Sequence, residues 1–333
     1  MKTVVKIVVL TPLVLILICA ISYFTEKNNY GTWTIEKKPY TDTTSDWIKF
    51  LWISDSMGNR NFERSGMNVP VKIAGLPYNF TFQFDLGDLH TEIYENSLNA
   101  VYAANPSLEK KVGRLRSLFQ FWNNNKSYKD ISIEAGRYIF KSKDCYVHRN
   151  YGEDLNKDSI LKSPALHIGS IGIDLFKNKV LIINYPLQQF CITDTVPENY
   201  RVSMVPIELN NAGMILLPMK LRGKTYDCLF DNGSSIFQLI GSSTRIDEYS
   251  TAKDNDTLPV SSWGTIHNMT GRKMTDTVEI AGQKFYDVEI YADHRKEFQE
   301  SAITDKPYLV TGNALFWNKT IIIDFRNKRF GIK

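Results

Sequence analysis

Two stretches of this 333-residue chain close in the same way. Residues 172–192 read GIDLFKNKVLIINYPLQQFCI and residues 312–332 read GNALFWNKTIIIDFRNKRFGI, aligned without a gap over 21 positions. The likeness has a middle and a start as well. Phe80, Phe82 and Phe84 alternate with polar residues and run into Asp85-Leu86-Gly87, while Cys228-Leu229-Phe230 runs into Asp231-Asn232-Gly233-Ser234-Ser235. Pro70-Val71-Lys72-Ile73-Ala74-Gly75 precedes the first acid and Pro218-Met219-Lys220-Leu221-Arg222-Gly223 the second. Ala135-Gly136 and Ala281-Gly282 come after them, and both the acids and the Ala-Gly pairs are 146 residues apart. A start, a middle and an end in register imply a duplicated unit of about 150 residues. The chain must therefore fold as two copies of one unit.

Each copy has a strand-like alternation that stops at a carboxylate, one more residue and a glycine. Glycine lets the backbone reverse there without a Cβ clash, and serine hydroxyls can bond nearby acceptors. One Asp-x-Gly is ordinarily just a turn; two in a register-preserving duplication bring two carboxylates to equivalent places. Two similar β-rich lobes then suggest a shared cleft on a pseudo-two-fold axis.

The chain is long enough to bury a large core. Its net charge is +4 and it carries no long basic block, so nucleic-acid binding finds no support. Lys2 and Lys6 precede a nearly unbroken apolar run from Ile7 to Phe24. Residues 1–28 thus read as a signal peptide or an uncleaved membrane anchor, with Ala20-Ile21-Ser22 a passable cleavage site. The positive flank predicts export of the remainder of the chain: anchored in the membrane, periplasmic or secreted. Glu26 to Asp46 is a linker, or an edge strand through Trp33 and Ile35. Asp194 to Tyr200 looks like the connection between lobes, which places the first at 29–195 and the second at 196–333. With both lobes in one chain, a monomer is expected.

Leu108, Val112, Leu115, Phe119 and Trp122 recur at helical spacing after Pro106, which predicts an amphipathic helix inserted in the first lobe. Ser261-Ser262-Trp263-Gly264-Thr265 reads as a turn that could project over the acids as a flap, or as an ordinary surface hairpin. Cys145 and Cys191 could pair if the chain is exported, leaving Cys228 a buried thiol on the strand before Asp231. The five histidines share no metal-ligand spacing, and Asp85, Asp88 and His90 together read as polar turn surface, so neither a metal nor another cofactor is expected. The chain has no Gly-x-Ser-x-Gly elbow and no phosphate loop.

These residues resemble the aspartic proteases, in a two-lobed form similar to pepsins and fused retropepsins. Each lobe of that family has Asp-Thr/Ser-Gly and, later, two apolar residues and a glycine. Asp85-Leu86-Gly87 and Asp231-Asn232-Gly233-Ser234-Ser235 match the first element. Ser170-Ile171-Gly172 and Val310-Thr311-Gly312 match the second approximately, and residues 321–332 resemble the family's last strand hairpin. The resemblance covers about residues 66–333. It implies an all-β, two-lobed acid-protease fold, with Asp85 and Asp231 as the catalytic pair and Gly87 and Gly233 as their turn residues. It implies a peptide or protein substrate, hydrolysed by a water between two carboxyls that share a proton. Ser234 and Ser235 support the second acid, and the counterpart of Ser234 is a third acid, Asp88. The family's threonine, which bonds across to the other lobe, is Leu86 in one copy and Asn232 in the other, so half of that grip is expected to be missing. A catalytically inactive relative of the cell envelope, binding a peptide or protein partner, is the other outcome the resemblance allows.

Overall fold

The computed structural model describes residues 32–41, 45–114, 126–210, 212–252, 256–296 and 308–333. The leader lies outside the described residues. Among the described residues no helix is long and apolar enough to cross a membrane. The chain is all-β in character, with twenty-five strands gathered in three sheets and three α-helices among the described residues.

The first sheet has nine strands and the third has ten. Each is built on the same plan. In the first, Phe80–Phe84 runs parallel to Leu166–Ile171, which in turn pairs antiparallel with Glu92–Tyr94. In the third, Lys224–Phe230 runs parallel to Leu309–Thr311, which pairs antiparallel with Leu239–Gly241. Tyr138–His148 pairs with both Glu92–Tyr94 and Lys126–Ala135, so the first sheet curls back on itself. The predicted alternation is borne out: Phe80, Phe82 and Phe84 are all buried, with Thr81 and Gln83 between them half-buried.

The six-stranded middle sheet takes its strands from both copies. Its central pair is Val180–Asn184 against Thr320–Asp324, in the register Val180↔Asp324, Ile182↔Ile322 and Asn184↔Thr320. The two strands are equivalents in the repeat, so this register is a two-fold axis passing between Ile182 and Ile322. Repeated phenylalanines tie each acid-bearing strand to this sheet. Phe84 packs on Phe176 and Phe190 at 5.6 and 4.7 Å, and Phe230 packs on Phe316 and Phe330 at 5.7 and 6.3 Å. Such ring pairs add about 0.5–1.5 kcal/mol beyond their burial. The duplicated closing segments thus buttress the two acids on one shared platform.

Two expectations are corrected. Residues 106–114 are not helical: turns lead to the strand Val112–Arg114, which pairs with Lys126–Tyr128. Pairing supplies the backbone partners a helix would have supplied, as in Lys129 N–H donating to Lys111 O at 2.9 Å, and the helical spacing of Leu108 and Val112 is a coincidence of apolar positions. Leu115, Phe119 and Trp122 lie outside the described residues. The described helices of this half are Glu95–Ala104 and the short Lys157–Lys162, and the first is no insertion, because Ser243–Tyr249 comes after the equivalent strand in the other half. Edge strand is the correct choice for the N-terminal segment, since Thr34–Lys37 pairs with Tyr138–Lys141.

The second correction concerns the thiols. Cys145, Cys191 and Cys228 are all free and buried. Cys145 packs in the main core with its Sγ on Thr91 O, whereas Cys191 sits with Val180, Ile182 and Ile322 in a separate apolar cluster on the middle sheet. The two face different cores, so no bridge forms. Burial pushes the Cys191 thiol up to about 12 and Cys145 well above its ordinary value. These three of the chain's four thiols are therefore expected to resist a thiol reagent at pH 8 in the folded protein and to react once it is unfolded. Linked peptides in mass spectra of unreduced protein would contradict this.

Candidate functional site

Both acids stand just past the end of a strand in a parallel pair. Asp85 N–H donates to Ile171 O at 3.0 Å, and Asp231 N–H donates to Thr311 O at 2.9 Å. Each carboxyl is then turned by its own loop, with Gly87 N–H donating to Asp85 Oδ1 and Gly233 N–H to Asp231 Oδ1, both at 2.9 Å. The two turns meet face to face. A Cβ on Gly87 would lie 2.3 Å from Asp231 Oδ1, and one on Gly233 would lie 2.4 Å from Asp85 Oδ2. Each glycine is therefore the floor for the other copy's carboxyl, and the two acids stand side by side. Gly172 and Gly312 are required by similar closeness: a Cβ on Gly312 would lie 1.7 Å from Ser234 O, and one on Gly172 would lie 2.4 Å from the His90 carbonyl carbon.

The grip between the turns is one-sided but double. Asn232 is fully buried; its side-chain oxygen accepts from Leu86 N–H and its Nδ2 donates to Phe84 O at 3.1 Å. One amide thus makes both cross-copy bonds, and Leu86 points into the apolar core. Behind the second turn, Asn313 Nδ2 donates to Asn232 O at 2.7 Å and to Ser235 Oγ at 3.0 Å, and Tyr185 OH donates to Asn313 Oδ1. Asn313 was not anticipated from the sequence. Its signal was there: the equivalent position in the first copy is the apolar Ile173.

The two acids differ in their support. Asp231 receives Ser234 Oγ–H at 3.0 Å in addition to its turn N–H. Asp88 stands in the equivalent place beside Asp85 and offers no donor; its carboxylate instead accepts from Ser170 Oγ–H at 2.5 Å and His90 N–H at 3.2 Å. Burial, then the charge of Asp231, then that of Asp88 push the Asp85 carboxyl well above the ordinary range. Burial also pushes Asp88 up to about 6. Asp85, raised in this way, is the carboxyl that keeps a proton.

A further carboxyl stands behind Asp88. Glu92 is buried, and burial together with the charges of Asp88, Asp85 and Asp174 raises it to about 9. It contacts His148 Nδ1 at 2.7 Å, while burial lowers the His148 imidazole. An ion pair would demand the opposite shifts, so at neutral pH the contact is a neutral hydrogen bond with the proton on Glu92. Asp174 closes this wall by accepting from Thr91 N–H, Thr91 Oγ–H and Trp33 Nε1–H at 2.8 to 3.0 Å.

The strands Asp256–Ser262 and Thr265–Lys273 form a hairpin over the acids, with Trp263 and Gly264 at its tip at φ of +50° and +78°. Positive φ is strained for a large aromatic residue, by about 1–3 kcal/mol. A second hairpin, Leu51–Met57 with Arg60–Ile73, reaches over from the other half. Gly58 lies against the Pro259 ring and Arg60 forms an ion pair with Asp256. Beneath this roof is a cavity of about 280 Å³, bordered by Asp85, Asp231, Tyr151 and Trp263. It continues into an open groove of about 920 Å³ through the shared Met57, Ser65, Gln83, Gly233 and Ser261. The structure thus brings together Asp85, Asp231, Gly233, Ser234, Ser235 and Trp263 around the cavity, with Gly87 packed against the Asp231 carboxyl and Gly264 completing the hairpin turn. Asp88 sits behind. Among the described residues no group of three or more His, Cys, Asp or Glu side chains could hold a metal ion. No known protein-family profile matches the chain, and no curated protein sequence matches it.

Proposed function

We propose that the chain is an aspartic-type endopeptidase whose dyad is Asp85 and Asp231. The observation that carries this reading is the reciprocal packing of each carboxyl on the other copy's turn glycine, which holds the buried Asp85 and the half-buried Asp231 side by side at the floor of a roofed cleft. Two such carboxyls retain one proton between them. A water held by the pair attacks the peptide carbonyl carbon and passes a proton to Asp231, while Asp85 gives its proton to the carbonyl oxygen. Collapse of the resulting diol returns a proton to Asp85 and moves the Asp231 proton to the leaving nitrogen. The groove beside the cavity suits an extended peptide segment. Export through the N-terminal leader, in anchored or secreted form, accords with such a substrate.

A relative that binds a peptide or protein partner without cleaving it is the second reading. The small cavity of about 280 Å³ over the acids, beside an open groove of about 920 Å³, favours it, since most of an extended segment would lie in the groove and away from the acids. Peptide-library digestion from pH 3 to 8, beside binding of a pepstatin-type transition-state mimic, separates the two. Cleavage and binding are expected; binding without cleavage selects the inert relative, and neither in a folded protein removes both.

Asp88 sets the upper limb of the pH profile. The proton needed on Asp85 is held to higher pH when Asp88 is ionised, which it becomes as pH rises through about 6. Asp88→Ser removes that charge, so Asp85 loses its proton at lower pH and the upper limb should move down. A limb that stays in place would show that Asp88 does not act on the dyad.

A further inference from the structure

We propose that a second groove, beyond the Asp231 turn, recognises an acidic residue of the bound peptide, and that the Arg64 guanidinium takes its carboxylate. This deepens the peptidase reading and rests on it for the peptide, although the recognition itself needs no hydrolysis.

The groove holds about 870 Å³ and meets the cavity over the acids at Ile236 and Phe237, which border both. The groove of about 920 Å³ meets the same cavity at other residues and shares none with this one. The acids therefore lie between two arms of one cleft, and a peptide drawn through the cavity has a part in each.

One wall of this arm is the strand Arg60–Ile73 of the first half. Side chains alternate along a strand, so Arg60, Phe62 and Arg64 share a face. Arg64 is half-buried. Its guanidinium lies 5.1 Å from the Trp317 ring of the second half and 5.7 Å from the Trp52 ring of its own hairpin. A ring face attracts the charge but offers no lone pair, so the N–H fork keeps its capacity for a carboxylate. Among the described residues Arg64 makes no ion pair or hydrogen bond; its contacts are the two rings. The other charges of the arm are better compensated. Arg60 pairs with Asp256, and Lys273 stands opposite Glu289 in the register of their strands. Glu63 and Asp287 are exposed, where solvent screens them, and Lys319, two residues beyond Trp317, adds a further positive charge. What the arm offers a ligand is a fork held between indoles before the ligand arrives, which lowers the ordering cost of binding. With Phe62, Phe237 and Trp317 around it, the fork suits an Asp or Glu carried on an otherwise apolar segment.

A neutral peptide from the digestion library is remade with a single Glu, or a single Gln, at each position in turn. At one position kcat/KM should be about tenfold or more higher for Glu than for Gln. The ratio should fall to about one in R64Q, and R64E should prefer Lys to Glu at that position. R64K, with the charge but not the fork, should keep part of the ratio, and it stands in should R64Q not fold. Each ratio is taken within one protein, so a general loss of activity cancels. Fluorescence anisotropy of the same peptides, labelled, with D231N and D231N/R64Q reads the preference without hydrolysis. A parent that cleaves nothing would remove the peptidase reading alone, because the binding ratio still tests Arg64. No Glu preference at any position in cleavage or binding, or one unchanged in R64Q and R64E, overturns the Arg64 site.

Discussion

Asp85→Asn and Asp231→Asn should each lower peptide cleavage by about 10³-fold or more, because either change removes the shared proton chemistry while keeping the side-chain shape. The fold should survive. Asp85 is buried against a second carboxyl and near a third, so its pKa lies well above the ordinary value. A carboxyl raised in this way contributes stability at low pH that is lost as pH rises through its folded value. Asparagine carries no such penalty. Asp85→Asn is therefore expected to be as stable as the parent at pH 4 and more stable above neutrality, while inactive throughout. The measurements are thermal melts at pH 4 and pH 8 and digestion of the same peptide library by parent and variants. Cleavage persisting in both asparagine variants would place the activity elsewhere. A fully inactive Asp85→Asn that melts below the parent at pH 8 would contradict the assigned electrostatics.

Asn232→Ala should be among the most damaging single changes outside the dyad. It deletes the one side chain that bonds across between the turns, leaving Leu86 N–H and Phe84 O without their cross-copy partner. Each buried group so stranded costs about 1–3 kcal/mol, so a total of about 2–5 kcal/mol is expected. Asn232→Thr, the residue the resembled family carries here, has one hydroxyl to make one of the two bonds well and should lose about half as much. Leu86→Thr should not restore symmetry. Its side chain lies in the apolar core, where an added hydroxyl has to be desolvated. Urea unfolding of the four proteins gives the comparison. A midpoint for Asn232→Ala equal to the parent's would mean that the turns do not depend on this amide.

Much of the architecture was legible because it is repeated. Phe84, Phe176 and Phe190 recur as Phe230, Phe316 and Phe330, and the structure packs each trio alike beneath an acid. A spacing pattern written twice is hard to mistake for chance. The helical period from Leu108 onward had no second copy to check it; Val112, Gly113 and Arg114 fitted that period, while their backbone found partners in a neighbouring strand. The longest described helix, Glu95–Ala104, carries a weaker signal, its buried Leu98 and Val101 standing three apart on one face.

By itself, the sequence determined that the chain is a duplicated, strand-rich protein whose two Asp-x-Gly turns occupy equivalent places. Local pattern suffices for that, since alternation, turn glycines and register are properties of neighbouring residues. Only the tertiary structure decided how the turns differ. That Asn232 makes both cross-copy bonds, that Asp88 turns toward Ser170 rather than Asp85, and that Trp263 crosses the cleft to His148 are contacts between residues about 80 to 150 positions apart. Such contacts depend on which side chain fills which space once both copies are packed on the shared sheet, and no spacing along the chain encodes that. The same holds for the thiols: Cys145 and Cys191 are compatible in sequence, but the sheets they belong to bury them in separate cores.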